Sequence, residues 1–274
     1  MKRNLLIGVL CIILIATNTA MCFASGDGSS LKGIETVNVR NGNDLFYDSD
    51  GNFCVTQTWS EADLLKNEAK KTVSELKDAG YSSDEIEEIK NPVSPFDAKE
   101  KYGNVSYTIK YYKDSFKYSD GITYIKTNVS WSWSKTPVIV KTDLIGMTTS
   151  AAFAKYGKSS AHINYYKDGN KTAANKKIVN KTVKTKSSGE GTYIKIPMAT
   201  TFEGGNNVYY GLGGSMTVNW RTSGNIKTVG LSGNYGHTKL SCTPSISFGN
   251  GVLISFSPKS KISYGDEAYI NVKR

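Results

Sequence analysis

Three sets of residues in this 274-residue chain have the types and spacing to do chemistry. In "NVSWSWSK" (128–135), Val129, Trp131 and Trp133 take every second position, with Asn128, Ser130, Ser132 and Ser134 between them. Uncovered, Trp131 and Trp133 would form a platform for sugar rings. Covered, they are core, and each large aromatic contributes roughly 2–3 kcal/mol by burial. The second set is basic. Lys167, Lys171, Lys176, Lys177, Lys181, Lys184 and Lys186 face only Asp168 and Glu190. Such a run could hold an anionic cell-wall polymer or lipid headgroups, or could simply keep a sheet edge soluble and unpaired.

The third set is sparse and catalytic in type. His162 and His237 belong to no H-E-x-x-H spacing, no G-x-S-x-G elbow occurs, and "GLGGS" at Gly211 lacks the lysine and helix of a phosphate loop. Paired carboxylates for glycoside hydrolysis meet only in three dimensions, and Glu203 with Asp143 is the pair such chemistry would use. Asp48, Asp50 and Asn52 alternate as calcium ligands do. An EF-hand loop would then need glycine and glutamate where Phe53 and Trp59 stand, so the stretch reads as a turn. No cofactor and no metal is implied, and the expectation is a non-enzymatic protein, with an extracellular hydrolase as a lesser alternative.

These residues need elements to position them. "DLFYDSDGNFCVTQTW" reads as a hairpin reversing at Asp50-Gly51. "SEADLLKNEAKKTVSELKDAG" reads as a helix capped at Ser60 and ended by Gly80, with Leu65, Ala69, Thr72, Val73 and Leu76 on one face. A second, shorter helix starts at Ser82 or Ser83 and stops before Pro92. It is too short and acidic to read DNA, so no nucleic-acid partner is expected. "NPVSPFD" marks a boundary, and beyond it strand alternation replaces helical periodicity.

In that region Val105, Tyr107, Ile109 and Tyr111 share one face, as do Ile125, Val129, Trp131 and Trp133. The second strand has 13 alternating positions from Ile122 to Ser134, which also meets the ~9–11 residues of a tilted membrane strand. Downstream, Met216, Val218 and Trp220 form one apolar phase, and Ala268, Ile270 and Val272 another. "IKYYKDS" from Ile109 resembles "INYYKDG" from Ile163, and "TYIK" follows each, as a duplicated hairpin would produce. The expected fold is mainly β: an antiparallel β-sandwich, Ig-like or jelly-roll-like, at 98–274, preceded at 25–97 by the hairpin and the helical pair.

Lys2 and Arg3, a 12-residue apolar run from Leu5 to Ala16 and the small Ala24 read as a signal peptide (1–24) cut after Ala24; a spanning helix needs ~20 residues. Cleavage leaves 274 − 24 = 250 residues and lowers the net charge from +10 to +8 by removing Lys2 and Arg3. It also removes Cys11 and Cys22, so one extracellular disulfide between Cys54 and Cys242 is expected. The Lys-, Asn-, Ser- and Tyr-rich composition resembles that of proteins exported by Gram-positive bacteria. These features point to a secreted protein binding a cell-wall polymer, glycan or anionic membrane surface through Trp131, Trp133 and the lysines Lys176, Lys177, Lys181, Lys184 and Lys186. The alternative is a membrane-active antimicrobial or pore-forming protein using the 105–134 hairpin.

Overall fold

The computed structural model describes residues 35–39, 43–91, 102–138, 140–150, 153–185, 191–202, 205–237, 244–248, 252–256 and 268–274. The signal segment, Ala24 and the boundary residues 92–97 lie outside them.

In chain order, β1 (Glu35–Val39), β2 (Asp44–Tyr47) and β3 (Phe53–Ser60) precede the helices α1 (Glu61–Glu68), α2 (Val73–Asp78) and α3 (Ser83–Lys90). Then come β4 (Asn104–Tyr111), β5 (Lys117–Ser119), β6 (Ile122–Trp133), β7 (Thr142–Thr149), β8 (Ala154–Lys155), β9 (Ser160–Lys167), β10 (Lys176–Lys181) and β11 (Lys184–Thr185). The series continues with β12 (Gly191–Pro197), β13 (Ala199–Thr201), β14 (Val208–Ser223), β15 (Thr228–Gly236), β16 (Pro244–Phe248), β17 (Val252–Phe256) and β18 (Ala268–Lys273).

Apart from β16 and β17, which pair with each other as a separate two-stranded ribbon, the strands build a mainly β molecule with two large antiparallel sheets. One runs β10-β9-β14-β6-β4-β3-β2, with β5, β8 and β13 attached; the other runs β1-β18-β15-β7-β12-β11. One apolar cluster joins the two. It takes Val105, Tyr107, Ile109, Val129, Trp131, Trp133, Met216, Val218 and Trp220 from the larger sheet, and Ile145, Met147, Ile194, Leu231, Tyr235 and Ile270 from the smaller. The period-2 pattern explains this, since alternate side chains point to opposite faces and only one phase is apolar.

The hairpin reverses at Gly51, which has φ +73°. Its strand β3 pairs with β4 from Phe53↔Tyr111 to Ser60↔Asn104, so the hairpin belongs to the larger sheet. The turn consumes Asp48. Its carboxylate accepts from the backbone N of Asp50 and Asn52, from Asn52 Nδ2, and from Lys110 Nζ at 2.7 Å. The expected 60–80 helix is divided. Thr72 adopts an extended conformation and forms a reciprocal capping box with Glu75, which starts a new helix and leaves Val73 exposed. Ser82 caps α3 in the same way with Glu85, and Gly80 sits at φ +88° between the two helices. Leu65, Leu76, Tyr81, Ile86, Ile89 and Tyr102 form a small core of their own.

The repeated motifs do not make two equivalent hairpins. The first pair lies on adjacent strands β4 and β6, whereas the second is divided between β9 of the larger sheet and β12 of the smaller.

Candidate functional site

Trp131 and Trp133 face inward, 3% and 0% exposed, so they offer no platform to a ligand. Their strand lies between β4 and β14, and the second sheet covers its apolar face. Gly214 lets the ring of Trp131 lie directly on β14; a Cβ there would stand 2.4 Å from Trp131 Cη2 and 2.3 Å from the His162 carbonyl. Trp133 Nε1 donates to Tyr235 Oη at 2.9 Å, and Trp220 Nε1 donates to Thr127 Oγ1 at 2.7 Å. Thr127, one of two threonines in the apolar phase of β6, is thereby accounted for; the other, Thr123, donates to the Gly224 carbonyl.

Asp143 is also internal. Tyr235 Oη donates to Asp143 Oδ2 at 2.5 Å, and His237 Nδ1 lies 2.9 Å from Asp143 Oδ1. Glu61 Oε1 accepts from the Val138 N–H at 2.8 Å and stands 3.9 Å from His237 Nε2. Burial, then the charge of Asp143, pushes the Tyr235 phenol well above its ordinary range. Asp143, Glu61 and His237 are all buried, so this polar tie joins the two sheets and the start of α1 out of reach of a polymer in solution. Glu203, the other member of the expected hydrolytic pair, lies outside the described residues. On the outer face His162 Nδ1 is 3.5 Å from Ser215 Oγ. Burial and Lys176 push this imidazole below its ordinary pKa, and among the described residues no carboxylate orients it as a general base would require. No group of three His, Cys, Asp or Glu residues among those described is arranged to hold a metal ion.

The lysines do not converge. Lys176, Lys177 and Lys181 lie on β10 at the edge of the larger sheet, while Lys184 lies on β11 at the edge of the smaller. Lys177 Nζ sits over the rings of Phe202 (4.5 Å) and Tyr209 (4.8 Å). Lys171 folds back to donate to Ser132 Oγ and the Trp133 carbonyl. Lys186 lies outside the described residues. Cys54 is a free, buried cysteine, and Cys242 lies outside the described residues, so the expected bridge is not among the contacts of Cys54. Cys54 pairs across the sheet with Lys110, on the face opposite the core, and burial pushes its thiol up to about 11.

The outer face of the larger sheet assembles a site that no single segment announces. In one row, Tyr112, whose N–H donates to the Lys126 carbonyl, meets Lys126 on β6, Asn219 on β14 and Tyr156 just beyond β8. In the next, Lys117 on β5 and Arg221 on β14 flank Tyr124 on β6. Lys126 Nζ lies 4.6 Å from the Tyr112 ring centroid, Arg221 Cζ 5.7 Å from that of Tyr156, and Tyr156 5.4 Å from Tyr124. Adjacent strands stand ~4.8 Å apart, so the rows span about 14 Å from β4 to β8. Asn128 Nδ2 donates to Thr217 Oγ1 beside them, and Ser130, Ser132 and Ser215 extend the hydroxyl-bearing surface.

The electrostatics follow from where the acids went. Residues 102–274 hold 23 Lys and Arg against 8 Asp and Glu. Of the acids in the described part of that region, Asp143 is buried and Asp114, Asp120 and Asp168 are exposed at turns. Lys110 pairs with Asp48, whereas Lys117, Lys126 and Arg221 meet no carboxylate among the described residues. Three cations and three tyrosines thus share one flat polar face.

No protein-family model matches the chain, and no curated protein matches it. Solved structures similar to it include one described as a pore forming protein (9% identity over 84% of this chain and 95% of that one, TM-score 0.30). The KRT10-binding region domain of the pneumococcal serine rich repeat protein PsrP is 12% identical over 57% of this chain and 89% of its own, with a TM-score of 0.24. Clostridium perfringens delta-toxin is 7% identical over 86% and 95%, with a TM-score of 0.22. At these scores the likenesses are weak and carry no argument about function.

Proposed function

We propose that this is an exported, non-enzymatic β-sandwich protein that binds an acidic extracellular polysaccharide across the outer face of its larger sheet. The observation that carries the proposal is the set of Lys117, Lys126 and Arg221 held among Tyr112, Tyr124 and Tyr156. The Tyr112 and Tyr156 rings fix Lys126 and Arg221 by cation–π contact, worth about 0.5–1 kcal/mol each at an exposed site, and so lower the ordering cost of meeting a charged partner. The cations attract carboxylate or sulfate groups, and Thr217 and Asn219, both partly exposed, supply hydroxyl and amide partners for sugar hydroxyls. The net charge, +10 for the full chain and +8 once residues 1–24 with Lys2 and Arg3 are removed, adds long-range attraction that salt screens.

Retention on immobilised uronic-acid or sulfated polysaccharide tests the proposal. Retention that weakens steadily with salt and is absent on a neutral polysaccharide of similar length is the expected result. Equal retention on the neutral resin, or none on either acidic one, contradicts it. The rival reading is a β-pore, which needs the inner face of β6 to leave the core and meet lipid. Release of dye from anionic vesicles at low protein concentration would favour the pore.

A further inference from the structure

The two free edges of the larger sheet are protected unequally. At one end is β2, whose residues Asp44, Leu45, Phe46 and Tyr47 are all exposed, the last three at 37%, 43% and 47%. It contains no lysine, proline or inward charge, the devices that ordinarily keep an edge from pairing with another chain. At the other end is β10, where Ile178 is the most exposed large apolar side chain among the described residues at 60%, set between Lys176, Lys177 and Lys181. Among the described residues each strand is paired on one side only.

The two edges are complementary in charge as well as in apolar character. Residues 1–101, which include β2, β3 and the helices, hold 16 Asp and Glu against 11 Lys and Arg, the reverse of the balance in 102–274. Asp44 opens β2, and Asp50 stands exposed in the turn that follows it. From this we infer that the β2 edge of one copy of the chain pairs with the β10 edge of a second copy, continuing the larger sheet from molecule to molecule. Backbone hydrogen bonds along the four residues of β2 supply the register. Leu45, Phe46 and Tyr47 meet Ile178 and Val179, and Asp44 and Asp50 lie against lysines of β10.

A contact between two different edges is heterologous, so each added copy presents a fresh edge and the assembly grows until it closes or becomes a filament. Six antiparallel steps separate β10 from β2, so the two edges run in the same direction, and a copy added with its β10 parallel to β2 keeps its outer face on the same side. An assembly would therefore present a row of polymer-binding faces and gain avidity without any new contact.

Sedimentation of the full chain at low ionic strength, across two decades of concentration, tests the inference with two variants. Phe46→Lys blocks one edge and Ile178→Lys the other. Both sites are exposed, and circular dichroism checks that the fold is kept. The wild-type chain is expected to grow beyond dimers with concentration. Each variant alone is expected to stay monomeric over the range in which the wild type assembles, and an equimolar mixture to form dimers that stop at two chains, since one intact edge of each kind remains. A wild-type chain that stays monomeric throughout overturns the inference. So does an Ile178→Lys variant that still dimerises by itself, which would show β2 pairing with β2, or a mixture that stays monomeric. Polysaccharide retention of the monomeric variants is read separately, so failure of assembly leaves the binding proposal intact.

Discussion

The two faces of β4, β6 and β14 are made by alternate residues of the same strands, yet they follow different rules. The inner phase is aromatic and aliphatic and closed against a second sheet. Trp133 Nε1 and Trp220 Nε1 are tied to Tyr235 and Thr127, whereas Trp131 Nε1 and Tyr111 Oη are buried without a hydrogen-bond partner among the described residues. The outer phase is serine, threonine, asparagine and lysine, with tyrosines that are only half-buried. Large rings occur on both faces, so aromatic content alone does not separate scaffold from binding surface. What separates them is cover: a ring under another sheet contributes to stability, and a ring beside a cation on the open face is the one we propose for recognition.

Substitutions can break that contrast or sharpen it. The largest effect belongs to the inner face. Trp133→Ala should remove about 3–5 kcal/mol of stability by urea denaturation, because it deletes a fully buried ring and the N–H that donates to Tyr235 Oη. A loss below about 1 kcal/mol would put Trp133 outside the load of the core. Tyr235→Phe keeps the ring but leaves Trp133 Nε1 and Asp143 Oδ2 each short of a partner, and should cost about 1–3 kcal/mol. If Tyr235→Phe were neutral, the tie between the sheets would be packing alone.

The smallest effect lies on the outer face. Burial pushes the Asp48 carboxyl up, but hydrogen bonds from Lys110 and Asn52 outweigh it and hold the group well below the usual carboxylate range. A carboxyl depressed on folding stabilises the native state fully above its unfolded pKa, ~3.9, and ceases to do so as pH falls toward its native value. Asp48→Asn should therefore cost about 1 kcal/mol at most near neutral pH, since the ion pair is partly open to solvent. The difference from wild type should shrink below about pH 4. A difference that grows on acidification would reverse the assignment.

The inner face was legible from the chain because its signal is local. Alternation at Val129, Trp131 and Trp133, and at Ala268, Ile270 and Val272, needs no knowledge of partners, and all six side chains are buried. The reversal at Gly51 and the cap at Ser82 were legible for the same reason. The division of the helix at Thr72 was harder to see, because "KKTVSEL" satisfies both a continuous helix and a fresh capping box, and the box wins locally. The proposed binding face was not legible. Lys126 and Arg221 are each unremarkable polar residues in their own strands, and only the register between β6 and β14 brings them together, about 95 residues apart in sequence. The lysine run shows the opposite case: a dense local run in sequence is distributed between two sheet edges, with Lys177 already seated on aromatic rings.

One comparison of retention addresses the main claim directly. Lys126→Ala and Arg221→Ala combined, and separately Lys176→Ala and Lys181→Ala combined, remove the same charge from the outer face and from the β10 edge, at positions where stability should change by no more than about 0.5 kcal/mol each. Measured as the salt needed for elution from an acidic polysaccharide, the outer-face pair should weaken binding by about ten-fold or more, and the edge pair far less, since net charge alone acts only at long range. Equal losses from the two pairs would mean that the polymer reads total charge rather than this face, and would contradict the account.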